Sequence, residues 1–163
     1  EVVVQTRNGP LRITTTHLEY YSVKQRTAQV EALRKLQLEA ADHAADPESR
    51  ESADSPFAKQ PRPASGILTA DFNFQSSDPL YARLQAPLGP GVPGYRDAWP
   101  MRHGARPHDP TLGIFDKGQW PGPPFACDFI FVTEDLAPRV EDVVVNAATD
   151  ASDHQPVMLT LAG

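Results

Sequence analysis

Cysteine is almost absent. Cys127 is the only one in 163 residues, which excludes an internal disulfide framework, and its place in the apolar run Cys127-Asp128-Phe129-Ile130-Phe131-Val132 reads as a buried, unreactive thiol. No window approaches the roughly 18 apolar residues of a membrane span. Glu1-Val2-Val3-Val4 lacks the basic start of a signal peptide. The chain as it stands reads as soluble, with the compartment open but tilted to the cytoplasm, and with the oligomeric state open. Positive charge is in deficit: 15 Lys and Arg stand against 21 Asp and Glu, a formal net charge of −6. A protein that grips a nucleic-acid backbone without sequence preference carries a basic face that displaces counterions. Nucleic acid is therefore a partner that the charge disfavours without excluding. Between His43 and Ala64 large apolar side chains are nearly missing, so ordering entropy there is not offset by burial, and residues 43–64 read as a mobile insertion.

What is present fits a single domain over 1–163, since 40% hydrophobic content at this length supports one compact core. Residues 2–6 and 11–16 are β-branched runs around Arg7-Asn8-Gly9-Pro10, a hairpin signal in which Asn and Gly both tolerate positive φ. Ser22-Val23-Lys24-Gln25 reads as a capping box ahead of a helix at about 23–43, with Val30, Leu33, Leu36 and Ala40 on its buried stripe. Gly66 to Ala70 is a short buried strand that delivers Asp71 and Asn73 at its end. Asp78-Pro79 opens a short helix carrying Leu80, Tyr81 and Leu84. Residues 87–125, rich in Pro and Gly, read as a long loop region, and 127–133, 139–146 and 156–161 as strands.

Several polar residues stand at the ends of these strands, where α/β scaffolds place their chemistry. Asp71 and Asn73 are two apart and on an extended segment would face one side together; an Asx-turn pair without chemistry is the plain alternative. Asp128 lies in an apolar strand, where a carboxylate costs several kcal/mol unless it is paired and hydrogen-bonded; an arginine is the plain alternative partner. Adjacent Asp153 and His154 can divide the work, one binding a hard divalent cation and the other meeting a phosphoryl oxygen or a water. Their plain reading is a turn aspartate beside a solvated histidine.

Four motifs fall in order: Thr16-His17-Leu18-Glu19, Ala70-Asp71-Phe72-Asn73-Phe74, Cys127-Asp128-Phe129-Ile130-Phe131-Val132 and Ser152-Asp153-His154-Gln155-Pro156-Val157. The series resembles the endonuclease/exonuclease/phosphatase superfamily of metal-dependent phosphoesterases, over nearly the whole chain. The resemblance implies a two-sheet α/β sandwich of the deoxyribonuclease-like type and a Mg²⁺- or Mn²⁺-dependent hydrolase of phosphate esters. By that resemblance Asp71 positions the attacking water, Asn73 and His17 hold phosphate oxygens, Asp128 orients His154, His154 acts on the phosphate, and Asp153 supports the metal. Ala70 stands where the family often has glycine. Glu19, Arg26 and Gln29 also match family positions and are expected to be scaffold.

The stretch His108-Asp109-Pro110-Thr111, with Gly113-Ile114-Phe115-Asp116 after it, resembles a loop that lines the substrate entrance, which makes His108 a substrate contact. Arg102, His103 and Arg106 form a small basic cluster that serves phosphate or is a solvated loop, and Trp99 is expected in the core. No early asparagine or metal-binding glutamate of the family kind precedes His17. The expectation is the C-terminal half to two-thirds of the fold, weakly active or inactive alone. The substrate class stays open among nucleic acid, lipid and small phosphate esters. The competing reading is a non-catalytic fragment or degenerate homologue that acts as an interaction module.

Overall fold

The computed structural model describes residues 1–46 and 55–163. Residues 47–54, the centre of the expected insertion at 43–64, lie outside the described residues. The chain runs β1 (Val2–Thr6), β2 (Gly9–His17), α1 (Val23–Ala45), β3 (Gly66–Asp71), α2 (Pro79–Gln85), β4 (Tyr95–Asp97), α3 (Ala98–His103), β5 (Asp128–Thr133), a 3₁₀ turn (Glu134–Arg139), β6 (Val140–Val145) and β7 (Val157–Leu161). Five strands form one sheet in the order β1-β2-β3-β5-β4, and β6 and β7 pair separately. The architecture is mixed α/β with two sheets, as expected.

The opening hairpin forms with a different turn. Thr6 pairs with Gly9, and of the two candidate residues only Gly9 takes a positive φ, 102°, the arrangement of a type I turn closed by a left-handed glycine. Thr6 Oγ1 accepts from the Asn8 N–H at 3.1 Å and donates to the Gly9 carbonyl at 2.7 Å, which holds the bend. Ser22 caps α1 by accepting from Gln25 N–H at 3.2 Å.

The buried stripe of α1 departs from the expected one. Val30, Leu33 and Ala40 are buried, but Leu36 is 38% exposed while Gln37 is wholly buried. A helix at 3.6 residues per turn continues from 30 and 33 to 37 and 40, so geometry places an amide where hydropathy favoured a leucine. Gln37 is satisfied there: Nε2 donates to the Ala64 and Pro93 carbonyls at 2.9 and 3.0 Å, and Oε1 accepts from the Arg12 guanidinium. Arg12 is itself buried and also donates to the Pro63 carbonyl. Gly66 leaves the room it needs, because a Cβ there would stand 2.9 Å from Arg12 Nη2.

Two apolar clusters lie on opposite faces of the five-stranded sheet. Leu68, Ala70, Phe129 and Phe131 point toward α1 and α2 and pack with Val30, Leu33, Phe72, Phe74, Leu84 and Tyr95. Leu11, Ile67 and Val132 point the other way, toward Ala98 and Trp99 of α3 and toward Val143, Val157 and Leu159 of the small sheet. At about 25 cal/mol per Å² of apolar area, these two clusters dominate the favourable side of folding. The region 87–125 is thus less irregular than expected, since β4 pairs with β5 and α3 follows it. Asp97 caps α3 through a 2.9 Å bond from the Trp99 N–H, and Trp99, 3% exposed, is core as expected.

Candidate active site

Strand register assembles the site. His17 pairs with Asp71 across β2 and β3, and Asp71 pairs with Asp128 across β3 and β5. Residues directly opposite one another share a face, so three strand ends place an imidazole and two carboxylates in one row. Behind them on that face lie Thr15, Thr69 and Ile130, then Ile13, Ile67 and Val132. The small sheet covers the apolar end of this column. The polar end opens as a trough of about 300 Å³ lined by Thr15, Thr69, Asp71, Asp128, Ile130 and Gln155, among others.

Asp71 sits at the centre. Its Oδ1 accepts from the Asn73 N–H at 2.8 Å, while Oδ2 lies 3.4 Å from His17 Nε2 and 3.8 Å from His154 Nε2. His17 is 70% exposed at its side chain and Asp71 12%. Asn73 does not continue the strand. It takes φ 51°, and its Nδ2 donates to the Leu18 carbonyl at 2.8 Å. The expectation of two side chains facing one way on extended backbone is therefore corrected, because the Asp71 side chain closes an Asx turn onto residue 73. The left-handed residue is Asn73, so alanine at position 70 meets no strain.

Asp128 has the partner that its burial demands, and it is His154, with Nδ1 2.9 Å from Oδ2. The same oxygen accepts from Thr111 Oγ1 at 2.5 Å and from the Cys127 thiol at 3.4 Å. Thr111, 1% exposed, also accepts from the backbone N–H groups of Cys127 and Asp128, both at 3.2 Å. Backbone bonds fix this corner: Thr111 N–H and Leu112 N–H donate to the Phe125 carbonyl at 2.9 and 3.0 Å, and Gln155 N–H to the Thr111 carbonyl at 2.7 Å. Leu112 bridges His154 directly. The sequence names Thr111 only as the end of the loop stretch His108-Asp109-Pro110-Thr111 and gives it no role of its own, although its place ahead of the Asp128 strand is a usable signal.

The electrostatics follow. Burial, the largest single influence, pulls the His154 pKa down, but the hydrogen bond and charge of Asp128, with the charges of Asp71 and Asp153, outweigh it and hold the pKa above its usual value. Burial, reinforced by the charges of Asp128 and Asp71, pushes the Cys127 thiol far up, as expected of an unreactive cysteine.

Other candidates fall elsewhere. His108 Nε2 lies 2.6 Å from Asp97 Oδ2, and its ring packs against Trp99 and Phe129. Arg102 faces Asp142 at 3.6 Å, His103 meets the Val143 carbonyl at 2.8 Å, and Arg106 pairs with Asp109 at 2.5 Å and lies over Trp99. The expected basic cluster is thus divided among scaffold partners. Asp153 is partly exposed and accepts from Ser152 Oγ at 3.3 Å. Arg26 donates to the carbonyls of Glu19 and Tyr20 at 2.8 and 2.9 Å, and Gln29 accepts from Glu19 N–H at 2.8 Å. These two hold the loop after His17 and act as scaffold.

Asp71, Cys127, Asp128 and His154 place ligand atoms within 4.8 Å of one another, a cluster able to hold a metal ion. No helix among the described residues is long and apolar enough to cross a membrane.

No family model and no curated protein matches the sequence. Solved structures do match. An endonuclease/exonuclease/phosphatase family protein from Bacteroides thetaiotaomicron is similar at 18% identity and TM-score 0.53, over 91% of this chain and 48% of its own. A mannosyl-6-phosphatase from the same organism is similar at 17% identity and TM-score 0.51, over 93% and 51%. The Neisseria 3′ phosphatase NExo, solved bound to a product DNA hairpin, is similar at 16% identity and TM-score 0.55, over 86% and 52%. At these identities the likeness establishes the fold, and the fold is the one that the motif series resembles. The chain spans about half the length of the structures it matches.

Proposed function

We propose that this chain carries the catalytic row of a divalent-metal-dependent hydrolase that cleaves a phosphate ester by in-line attack of water. The observation that carries the proposal is the row His17–Asp71–Asp128 at one register, completed by His154 at 2.9 Å from Asp128. In this reading Asp128 fixes the imidazole through Nδ1 and keeps it charged, the orienting role that a buried aspartate plays toward a histidine in hydrolytic triads. His154 Nε2–H, 3.8 Å from Asp71 Oδ2, then serves as a donor to a phosphoryl oxygen, where a preorganised charge in a partly dry site is worth far more than in water. Asp71, with Oδ2 between two imidazoles, accepts a hydrogen bond from the attacking water and orients it. His17, exposed at the rim, takes a second phosphate oxygen. Asn73 keeps one amide N–H on Leu18 and has another for the same anion. His108 and Arg102 are assigned no substrate contact, because Asp97 and Asp142 engage them.

Mg²⁺ or Mn²⁺ is the cofactor that this reading implies, and it would neutralise charge on the phosphoryl group. A cation of this kind keeps several waters and takes one or two carboxylates besides the substrate phosphate. Asp128 Oδ2 already accepts from Thr111, His154 and Cys127, which leaves Asp71 and Asp153 as the carboxylates that would hold it. The similar structures include a mannosyl-6-phosphatase and a 3′ phosphatase on DNA. The proposal therefore stops at the phosphate ester, with the net charge of −6 weighing against a nonspecific duplex substrate.

The test compares hydrolysis of a bis-aryl phosphate by this chain and by a longer chain carrying the rest of the fold, each with Mg²⁺, Mn²⁺ or chelator. The expected result is weak activity in the first and robust, chelator-sensitive activity in the second. No hydrolysis by the longer chain on this or other phosphate esters would overturn the proposal.

A further inference from the structure

The ligand atoms that converge at the site are not all oxygen. Among the described residues, Asp71, Cys127, Asp128 and His154 are the group whose ligand atoms converge, and they offer a thiol, an imidazole and two carboxylates. Hard cations select oxygen, whereas thiolate with imidazole selects borderline or soft ions. We infer that these four side chains form a site for a thiophilic divalent cation of the zinc type, and that its occupancy withdraws Asp71 and His154 from phosphate chemistry. The inhibitory half rests on the proposed function; the binding half does not.

Geometry supports a tetrahedral ion. With Zn–S near 2.3 Å and Zn–N and Zn–O near 2.0–2.2 Å, neighbouring ligand atoms of such a site stand about 3.3–3.6 Å apart. Here Cys127 Sγ lies 3.4 Å and His154 Nδ1 2.9 Å from Asp128 Oδ2, and all four ligand atoms lie within 4.8 Å of one another. With Nδ1 as the ring donor, side-chain rotations that draw Asp71 in close the shell. Thr111, donating to Asp128 at 2.5 Å, steadies that carboxylate in turn. Cys127 is buried, but Asp71, Asp128 and His154 keep 12, 19 and 29% side-chain exposure, and the trough supplies an entry path. Binding displaces the protons that Cys127 and His154 present to Asp128 Oδ2, which frees that oxygen to ligate, and the protons leave to solvent.

Because Cys127 is the single cysteine, any metal–thiolate signal reports this position. The experiment titrates Co²⁺ into the metal-free 163-residue chain and follows the near-ultraviolet thiolate-to-cobalt charge-transfer band. The expected result is a band that saturates at one equivalent, is removed by stoichiometric Zn²⁺ and survives a large excess of Mg²⁺. Cys127→Ser, checked for folding by circular dichroism, should lose the band. Loss of even outer partners lowers metal affinity about 10–100-fold, so loss of this ligand should lower Zn²⁺ affinity about 100-fold or more. Asp71→Asn, which keeps the thiol, should retain a weakened band. No band, or equal Zn²⁺ affinity in Cys127→Ser and the parent, would overturn the site. Zn²⁺ that binds with these signatures but leaves hydrolysis by the longer chain unchanged would overturn the inhibitory half. A persistent band with no hydrolysis under any metal would overturn the proposed function and leave the cation site standing.

Discussion

His154 Nδ1 and Asp128 Oδ2 meet at 2.9 Å across 26 residues of chain, and this contact governs the protonation of the imidazole. Burial lowers the His154 pKa, and Asp128, Asp71 and Asp153 together raise it further than burial lowers it. A histidine whose folded pKa exceeds its unfolded value of about 6.5 contributes stability that is full below that value. The contribution is lost as pH rises through the folded pKa. Asp128→Asn should lower the His154 pKa and remove this part of the pH dependence. An NMR titration of the imidazole in metal-free protein, with urea melts at pH 5.5 and pH 8, reads both. A pKa that is unchanged or higher in the variant would contradict the pairing.

Thr111 links three polar groups through one buried hydroxyl, donating to Asp128 and accepting from two backbone N–H groups. Thr111→Val keeps the shape and removes the oxygen. Leaving buried polar groups unsatisfied costs about 1–3 kcal/mol, so the variant should unfold at lower urea by that amount, while Thr111→Ser should recover most of it. Equal midpoints for the valine and serine variants would show that the hydroxyl has no part in holding the corner.

The row His17–Asp71–Asp128 was legible because each member stands at a strand end, and because a carboxylate beside Phe129, Ile130 and Phe131 must be compensated. That the compensation comes from His154 followed from the motif series, since nothing local links residues 128 and 154. What stayed hidden was decided by tertiary contact. Asp97 and Asp142 claim His108 and Arg102, and those encounters leave no trace in local composition. The strand Tyr95–Asp97 has three residues and owes its existence to pairing with β5, so a region dense in proline concealed it. Asn73 was misplaced because its neighbour's side chain, through the bond from Asn73 N–H to Asp71 Oδ1, overrides the extended continuation.

That turn makes its own prediction. Asn73 is the one non-glycine residue with positive φ among the described residues, and its side chain also holds Leu18. Asn73→Ala loses the hydrogen bond and places a Cβ-bearing residue without a compensating amide in the left-handed region, whereas Asn73→Gly loses the bond alone. The left-handed penalty is about 1–2 kcal/mol, so the glycine variant should be the more stable of the two by about that margin in equilibrium unfolding. An alanine variant as stable as the glycine one would mean that the backbone at residue 73 relaxes at no cost.

The helix α1 offers a test in which hydropathy and geometry give opposite answers. Read by residue type, Leu36 belongs inside and Gln37 outside; in the fold Leu36 is exposed and Gln37 is sealed between Arg12 and the carbonyls of Ala64 and Pro93. Replacing Leu36 with lysine changes a solvent-facing side chain and should shift stability by no more than about 0.5 kcal/mol. Replacing Gln37 with leucine adds apolar surface yet strips partners from a buried guanidinium and two carbonyls, each of which costs about 1–3 kcal/mol when left unmet. The leucine variant should therefore lose about 3 kcal/mol, and the loss should largely persist if Arg12 is also changed to methionine, because the two carbonyls remain bare. Chemical denaturation of the three variants decides it: a Gln37→Leu protein at least as stable as the parent, with Leu36→Lys the damaging change, would place the buried stripe of α1 where residue type alone puts it.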